Sequence, residues 1–142
     1  MTQIDFYTHV EDKVRTACAL SAKAFARGLK VTVFCADPAM AQRFDRMLWT
    51  TPAIGFVPHC GPEDPLAEVT PVIVDCRGEP LLNDEVLLNL RPEWPPFFSR
   101  FQRLIEIVSL DDEDRARGRE RFRFYRDRGY EIRTHDLGKN SA

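Results

Sequence analysis

Residues 29–38, LKVTVFCADP, hold the clearest strand of the chain and the start of the helix after it. Leu29 to Cys35 is a run rich in β-branched and apolar residues, uninterrupted by glycine or proline. Asp37 can cap a helix with its side chain, and Pro38 suits a first helical turn, where its missing N–H would have no partner in any case. A helix is expected from Pro38 to about Trp49. Upstream, Ile4 to Tyr7 (IDFY) reads as a short strand. The segment from Glu11 to Arg27 places Val14, Ala17, Cys18, Ala22 and Phe25 on one side of a helix that Gly28 would end. The resulting β-α-β-α order predicts a single α/β domain: a mainly parallel, mixed sheet flanked by helices, with the Leu29–Cys35 strand near its centre.

Downstream, four prolines make Thr51 to Pro65 irregular, with room for one short strand at Phe56-Val57. Pro71 to Cys76 (PVIVDC) reads as a buried strand, and so, with Pro80 and Pro92 near its ends, does Glu85 to Leu90 (EVLLNL). Trp94 to Phe101 can open a short helix, and Leu104 to Val108 (LIEIV) has the composition of a strand. Beyond Gly129, Tyr130 to Thr134 predicts a last edge strand. The domain is expected to span residues 1–136, with 137–142 a flexible tail.

The segment between those last two strands, Asp111 to Arg128, reads DDEDRARGRERFRFYRDR. From Arg115 to Arg128 it carries seven arginines against two acids, a local charge of +5 in a chain of net charge −2. Arginines alternate from Arg115 to Arg123 as a strand might have them, but the opposite set, Ala116, Gly118, Glu120 and Phe122, is no apolar face. At about 100° per residue, Gly118, Phe122 and Tyr125 fall in one narrow arc, so a helix is expected. The four acids at its start suit the positive end of the helix dipole, and the arginines suit the other end. Arg115, Arg119, Arg123 and Arg126 then form one basic stripe beside Phe122, and Arg117, Arg121 and Arg128 another beside Phe124. Many charged helices are simply solvated. Here the basic residues are all arginine, the side chain suited to bidentate capture of carboxylate or phosphate.

With 142 residues, 44% hydrophobic and 30% charged, the chain is the size and composition of one soluble domain. No basic leader precedes an apolar run, and no apolar stretch is long enough to cross a bilayer, so a cytoplasmic protein is expected. Cys18, Cys35, Cys60 and Cys76 include no CxxC pair, which argues against a disulfide framework or a zinc site. His59 beside Cys60 is too small a set of ligands for a metal.

The first strand leads into THVEDKV, neither GxGxxG nor GxxxxGK, so the fold lacks the usual backbone cradle for nucleotide phosphates. No cofactor is expected. A nucleophile would have to come from His59 with Cys60 or Cys35, and nothing in the sequence orients either pair. Asp5, Asp37 and Asp75 lie near strand ends, but Asp37 is accounted for as a cap. The expectation is a binding module with no catalytic activity of its own.

Arginines interleaved with phenylalanines can hold a phosphate backbone while bases stack on Phe122 or Phe124, which keeps direct single-stranded nucleic-acid binding open. The domain as a whole is slightly acidic, whereas such binders carry a basic field. An acidic peptide with one apolar anchor fits the helix better.

Three passages carry a resemblance to a known family: FY after the opening strand, RFDRMLWTTPAIGFVPH at Arg43 to His59, and RERFRFYRDRGY at Arg119 to Tyr130. In that order they resemble the chi subunit family of bacterial DNA polymerase III holoenzyme, accessory to the clamp loader. The resemblance implies a nucleotide-binding-like topology without a nucleotide. It further implies that the last helix binds the acidic carboxy-terminal tail of single-stranded DNA-binding protein through the matching positions Arg119, Phe122, Arg123 and Arg126, and so meets DNA indirectly. It also implies that Trp49 and Phe56 dock a psi subunit, another clamp-loader subunit or a helicase.

Overall fold

The computed structural model describes residues 1–51, 56–78 and 81–138. Along the chain run β1 (Gln3–Val10), α1 (Lys13–Ala26), β2 (Val31–Phe34), α2 (Pro38–Thr50), β3 (His59–Cys60), β4 (Val72–Asp75), β5 (Val86–Asn89), β6 (Arg103–Ser109), α3 (Asp112–Asp127) and β7 (Ile132–Asp136). Single 3-10 turns occupy Ala67–Val69 and Phe98–Arg100. The strands form one sheet ordered β3-β4-β2-β5-β6-β1-β7, and every pairing among the described residues is parallel.

The helix boundaries follow from local chemistry. Asp12 caps α1 by accepting from the Val14 and Arg15 N–H groups, and Asp37 caps α2 by accepting from the Met40 N–H at 2.8 Å. Gly28, at φ +76°, ends α1: its N–H donates to the Phe25 carbonyl and that of Leu29 to the Ala24 carbonyl.

Side-chain alternation along the strands splits the interior in two. Val31, Val33, Val74, Leu88, Ile105 and Ile107 pack beneath α1 and α2, while Ile4, Phe6, Leu87, Leu104 and Val108 pack beneath α3. The α/β expectation holds, and the predicted central strand, β2, is interior, although β5 takes the middle position. The short strand falls at His59–Cys60 rather than Phe56-Val57: Val57 is buried in the core while Phe56 is 68% exposed. Part of the irregular stretch, residues 52–55, lies outside the described residues.

At the far edge β7 continues two residues past Thr134. His135 and Asp136 pair with Tyr7 and Thr8, and the Leu137 N–H donates to the Thr8 carbonyl at 3.0 Å. Of the expected tail, residues 139–142 lie outside the described residues. No helix among the described residues is long and apolar enough to cross a membrane.

Candidate functional site

The last helix is anchored at its start. Asp111 caps it by accepting from the Asp114 N–H at 3.0 Å. Asp114 in turn accepts from the Ser109 N–H at 2.7 Å and from Lys13 Nζ at 3.1 Å. Burial alone would raise the Asp114 carboxyl, but the Ser109 N–H and the Lys13 ammonium outweigh it and hold the group below its ordinary range. The turn from β6 into α3 is thereby tied to the first turn of α1.

Against the sheet α3 buries Gly118, Arg121 and Tyr125, not the Gly118, Phe122, Tyr125 arc expected from spacing. Phe122 sits at the margin, half-buried, its ring edge-on to Phe6 with centroids 5.3 Å apart. Arg121, expected on a solvent-facing stripe with Arg117 and Arg128, is 1% exposed. It is drawn inward by Glu106 of β6, fully buried on the α3 face. Arg121 Nε donates to Glu106 Oε1 at 2.9 Å, the Tyr125 hydroxyl to Oε2 at 2.6 Å, and the Asn89 amide to both oxygens. Arg121 Nη1 also donates to the Pro92 carbonyl at 2.8 Å. Burial pushes the Glu106 carboxyl above its ordinary range, with Arg121, Tyr125 and Asn89 pulling the other way. Burial and the adjacent carboxylate raise Tyr125 well above its usual value, so it serves as an O–H donor.

Gly118 sets how closely helix and sheet approach. A Cβ there would lie 2.7 Å from Val108 Cγ2 and 3.0 Å from Cγ1. Gly118→Ala should therefore lower stability by about 1–3 kcal/mol through overpacking, against the roughly 1 kcal/mol that alanine normally gains over glycine within a helix. Urea denaturation of the variant gives the sign; a more stable Gly118→Ala protein would mean that the interface yields.

Beside this close approach opens a cleft of about 380 Å³. Its base is Phe6, Val108 and Gly118, α3 contributes Arg115, Arg119 and Phe122, and Thr8, His9 and Thr134 close the sheet side. A bulge in β1 shapes that side: the register with β6 shifts between Tyr7 and Val10, and His9 takes φ +59°, so that consecutive residues Thr8 and His9 both reach the cleft. His9 Nδ1 lies 2.9 Å from Asp136 Oδ1.

Of the predicted basic set, Arg119 and Phe122 meet in this cleft, whereas Arg123 and Arg126 are exposed farther along the helix and do not line it. Arg126 lies 3.5 Å from Asp127, both well exposed. Phe124 has both faces covered: Trp94 stacks on one at 3.8 Å, and the Arg128 guanidinium lies 3.6 Å from the ring centre on the other.

The second predicted pair also comes together. Trp49, near the end of α2, is 61% exposed, and its ring centroid is 5.6 Å from that of Phe56. His59 supports the pair from below: its ring is 5.3 Å from Trp49, Nδ1 is 2.7 Å from the Val57 carbonyl, and Nε2 is 2.8 Å from Asp45.

His59 thus faces a carbonyl and a carboxylate, not a thiol. Burial pushes the Cys35 and Cys18 thiols up to about 12, so neither supplies a thiolate near neutral pH. Asp75 accepts from the Arg77 and Gly78 N–H groups and shapes the turn after β4. No group of three or more histidines, cysteines or acids suited to a metal occurs among the described residues.

Comparison with known proteins gives a family match over nearly the whole chain. The family model described as DNA polymerase III chi subunit, HolC, matches residues 1–133. The chain belongs to the DNA polymerase III chi subunit family. It is 35% identical to the DNA polymerase III subunit chi of Pseudomonas aeruginosa, over 96% of this chain and 98% of that one. The Haemophilus influenzae and Escherichia coli subunits of the same name are 32% and 29% identical, over 86% and 94% of this chain. Family membership supports an accessory role in DNA replication. The match takes in both α3 and the Trp49–Phe56 pair.

Proposed function

We propose that the chain is a non-catalytic accessory subunit of the replicative DNA polymerase III holoenzyme, joining the clamp loader to single-stranded DNA-binding protein. The acidic carboxy-terminal tail of that protein would lie along α3. Its terminal aromatic side chain would enter the cleft against Phe6 and Phe122. Arg119 would take the terminal carboxylate, and Arg123 and Arg126 the preceding aspartates outside the cleft. The observation that carries the proposal is the meeting of Arg119 with Phe122 around an apolar hollow of about 380 Å³, which has room for a large aromatic side chain.

Direct binding of single-stranded DNA is less well supported. Base stacking needs a free aromatic face; both faces of Phe124 are taken by Trp94 and Arg128, and Phe122 is half-buried against Phe6 in the cleft wall. A fluorescent acidic peptide ending in phenylalanine should bind the protein much more tightly than a naked oligonucleotide in the same buffer. Tight oligonucleotide binding without peptide binding would assign the arginines to phosphates instead.

The exposed Trp49–Phe56 pair would dock a psi subunit, another clamp-loader subunit or a helicase, since large neighbouring aromatics left in water mark protein interfaces. Trp49→Ala should abolish co-purification of that partner and leave peptide affinity within about twofold, because α2 and the α3 cleft share no residue. Retained co-purification would remove Trp49 from the interface.

A further inference from the structure

On the sheet face opposite α3, a second cleft of about 410 Å³ opens between α1 and the edge formed by β6, β1 and β7. Asp5 stands behind it, 1% exposed on the interior of β1. A carboxylate that deep needs compensation, and two cleft residues provide it. Arg103 Nε donates to Asp5 Oδ2 at 2.9 Å, and His135 Nε2 lies 2.9 Å from Oδ1. The His135 ring is fixed further by stacking on Tyr7, centroids 4.5 Å apart and 15° from parallel. Arg103 spends only Nε on Asp5; its terminal nitrogens have no partner among the described residues and remain for a ligand.

From the other wall come Lys23, in the last turn of α1, and Arg27, the residue that caps its end, both exposed and with no carboxylate within ion-pair distance among the described residues. Their position near the end of α1 suits the helix dipole, which accounts for their charge but not for their sharing a cleft with Arg103 and His135. The open carboxylate there, Asp136, is already engaged by His9 and the Gly138 N–H.

We propose that this cleft binds a phosphate group. Two arginines and a lysine lining one cleft with a rigidly oriented imidazole suit a group with several acceptor oxygens and up to two negative charges. Sequence inspection for glycine loops cannot find such a site, because it is built from side chains on β6, β7 and α1 and not from backbone N–H groups. The phosphate can be free or can be the 5′ end of single-stranded DNA, and the two are separable.

The full chain is titrated at constant ionic strength with inorganic phosphate, with a 5′-phosphorylated tetranucleotide and with the same oligomer lacking the phosphate, following the His135 and Tyr7 ring resonances. Saturable shifts with both phosphate probes are expected, weakened roughly tenfold or more in the Lys23→Gln/Arg27→Gln double variant. These two side chains are exposed, so the variant should fold, which circular dichroism verifies. Tighter binding of the phosphorylated oligomer than of inorganic phosphate identifies a DNA end as the source; equal binding identifies free phosphate. Absence of saturation with both phosphate probes, an unchanged double variant, or equal shifts from the unphosphorylated oligomer would overturn the proposal.

Discussion

Arg121→Met should destabilise the fold by about 3–5 kcal/mol, the scale for removing one partner of a buried ion pair. The guanidinium is 1% exposed and its Nε lies 2.9 Å from the fully buried Glu106, so the substitution strands a carboxyl group in the core. The loss should depend on pH. Burial already raises Glu106 above its ordinary value of 4.5, and without Arg121 the folded-state value rises further. The folded variant then holds a proton that the unfolded chain releases, so stability falls as pH rises above the ordinary carboxylate range, and the variant should be least impaired near pH 5. Adding Glu106→Gln removes the stranded charge while leaving an acceptor for the Tyr125 hydroxyl, and should recover more than half of the loss. Urea denaturation at pH 5 and pH 8 reads all three effects. A cost below about 1 kcal/mol for Arg121→Met would mean that the pair is dispensable.

Arg121 also marks where the sequence stops being legible. Helix periodicity assigns faces from apolar residues, and on α3 the inward face includes an arginine that the pattern sends to solvent. The signal lay in another element. In LIEIV, Glu106 alternates with Leu104 and Val108 and must share their buried face, so a buried acid in β6 called for a cation from the helix that follows it. The strands and helix caps were easier, because Asp37-Pro38, Gly28 and the β-branched run at 31–33 act through nearest neighbours. The β1 bulge that turns His9 into the α3 cleft was not readable, since a left-handed histidine leaves no local mark in THV. The short strand was misplaced for a similar reason: Phe56-Val57 has better strand composition than His59–Cys60, yet only the latter pairs with β4. Trp49 and Phe56 illustrate a further limit. Composition favours burying them; it is the family resemblance that implies an exposed docking pair, and the structure leaves both in water and adjacent.

The largest effects on binding should come from the α3 cleft. Arg119→Ala should weaken an acidic peptide ending in phenylalanine about ten- to a hundredfold, the range for losing hydrogen bonds to a charged group. Phe122→Ala should act on the same scale by opening the wall that receives the aromatic side chain, and deletion of the terminal phenylalanine should remove most of the affinity. Arg123→Ala and Arg126→Ala should cost less than Arg119→Ala, because neither side chain lines the cleft. Added salt should reduce affinity for the wild-type protein more than for the Arg119→Ala variant.

A two-dimensional NMR titration of the labelled protein with that peptide tests the location most directly. The expected result is saturable shifts at Thr8, Ser109, Gly118, Arg119 and Phe122, with Trp49 and Phe56 unmoved. Shifts that gather at Trp49 and Phe56, or at Tyr7 and His135 on the opposite face, while the α3 cleft stays silent, would contradict it.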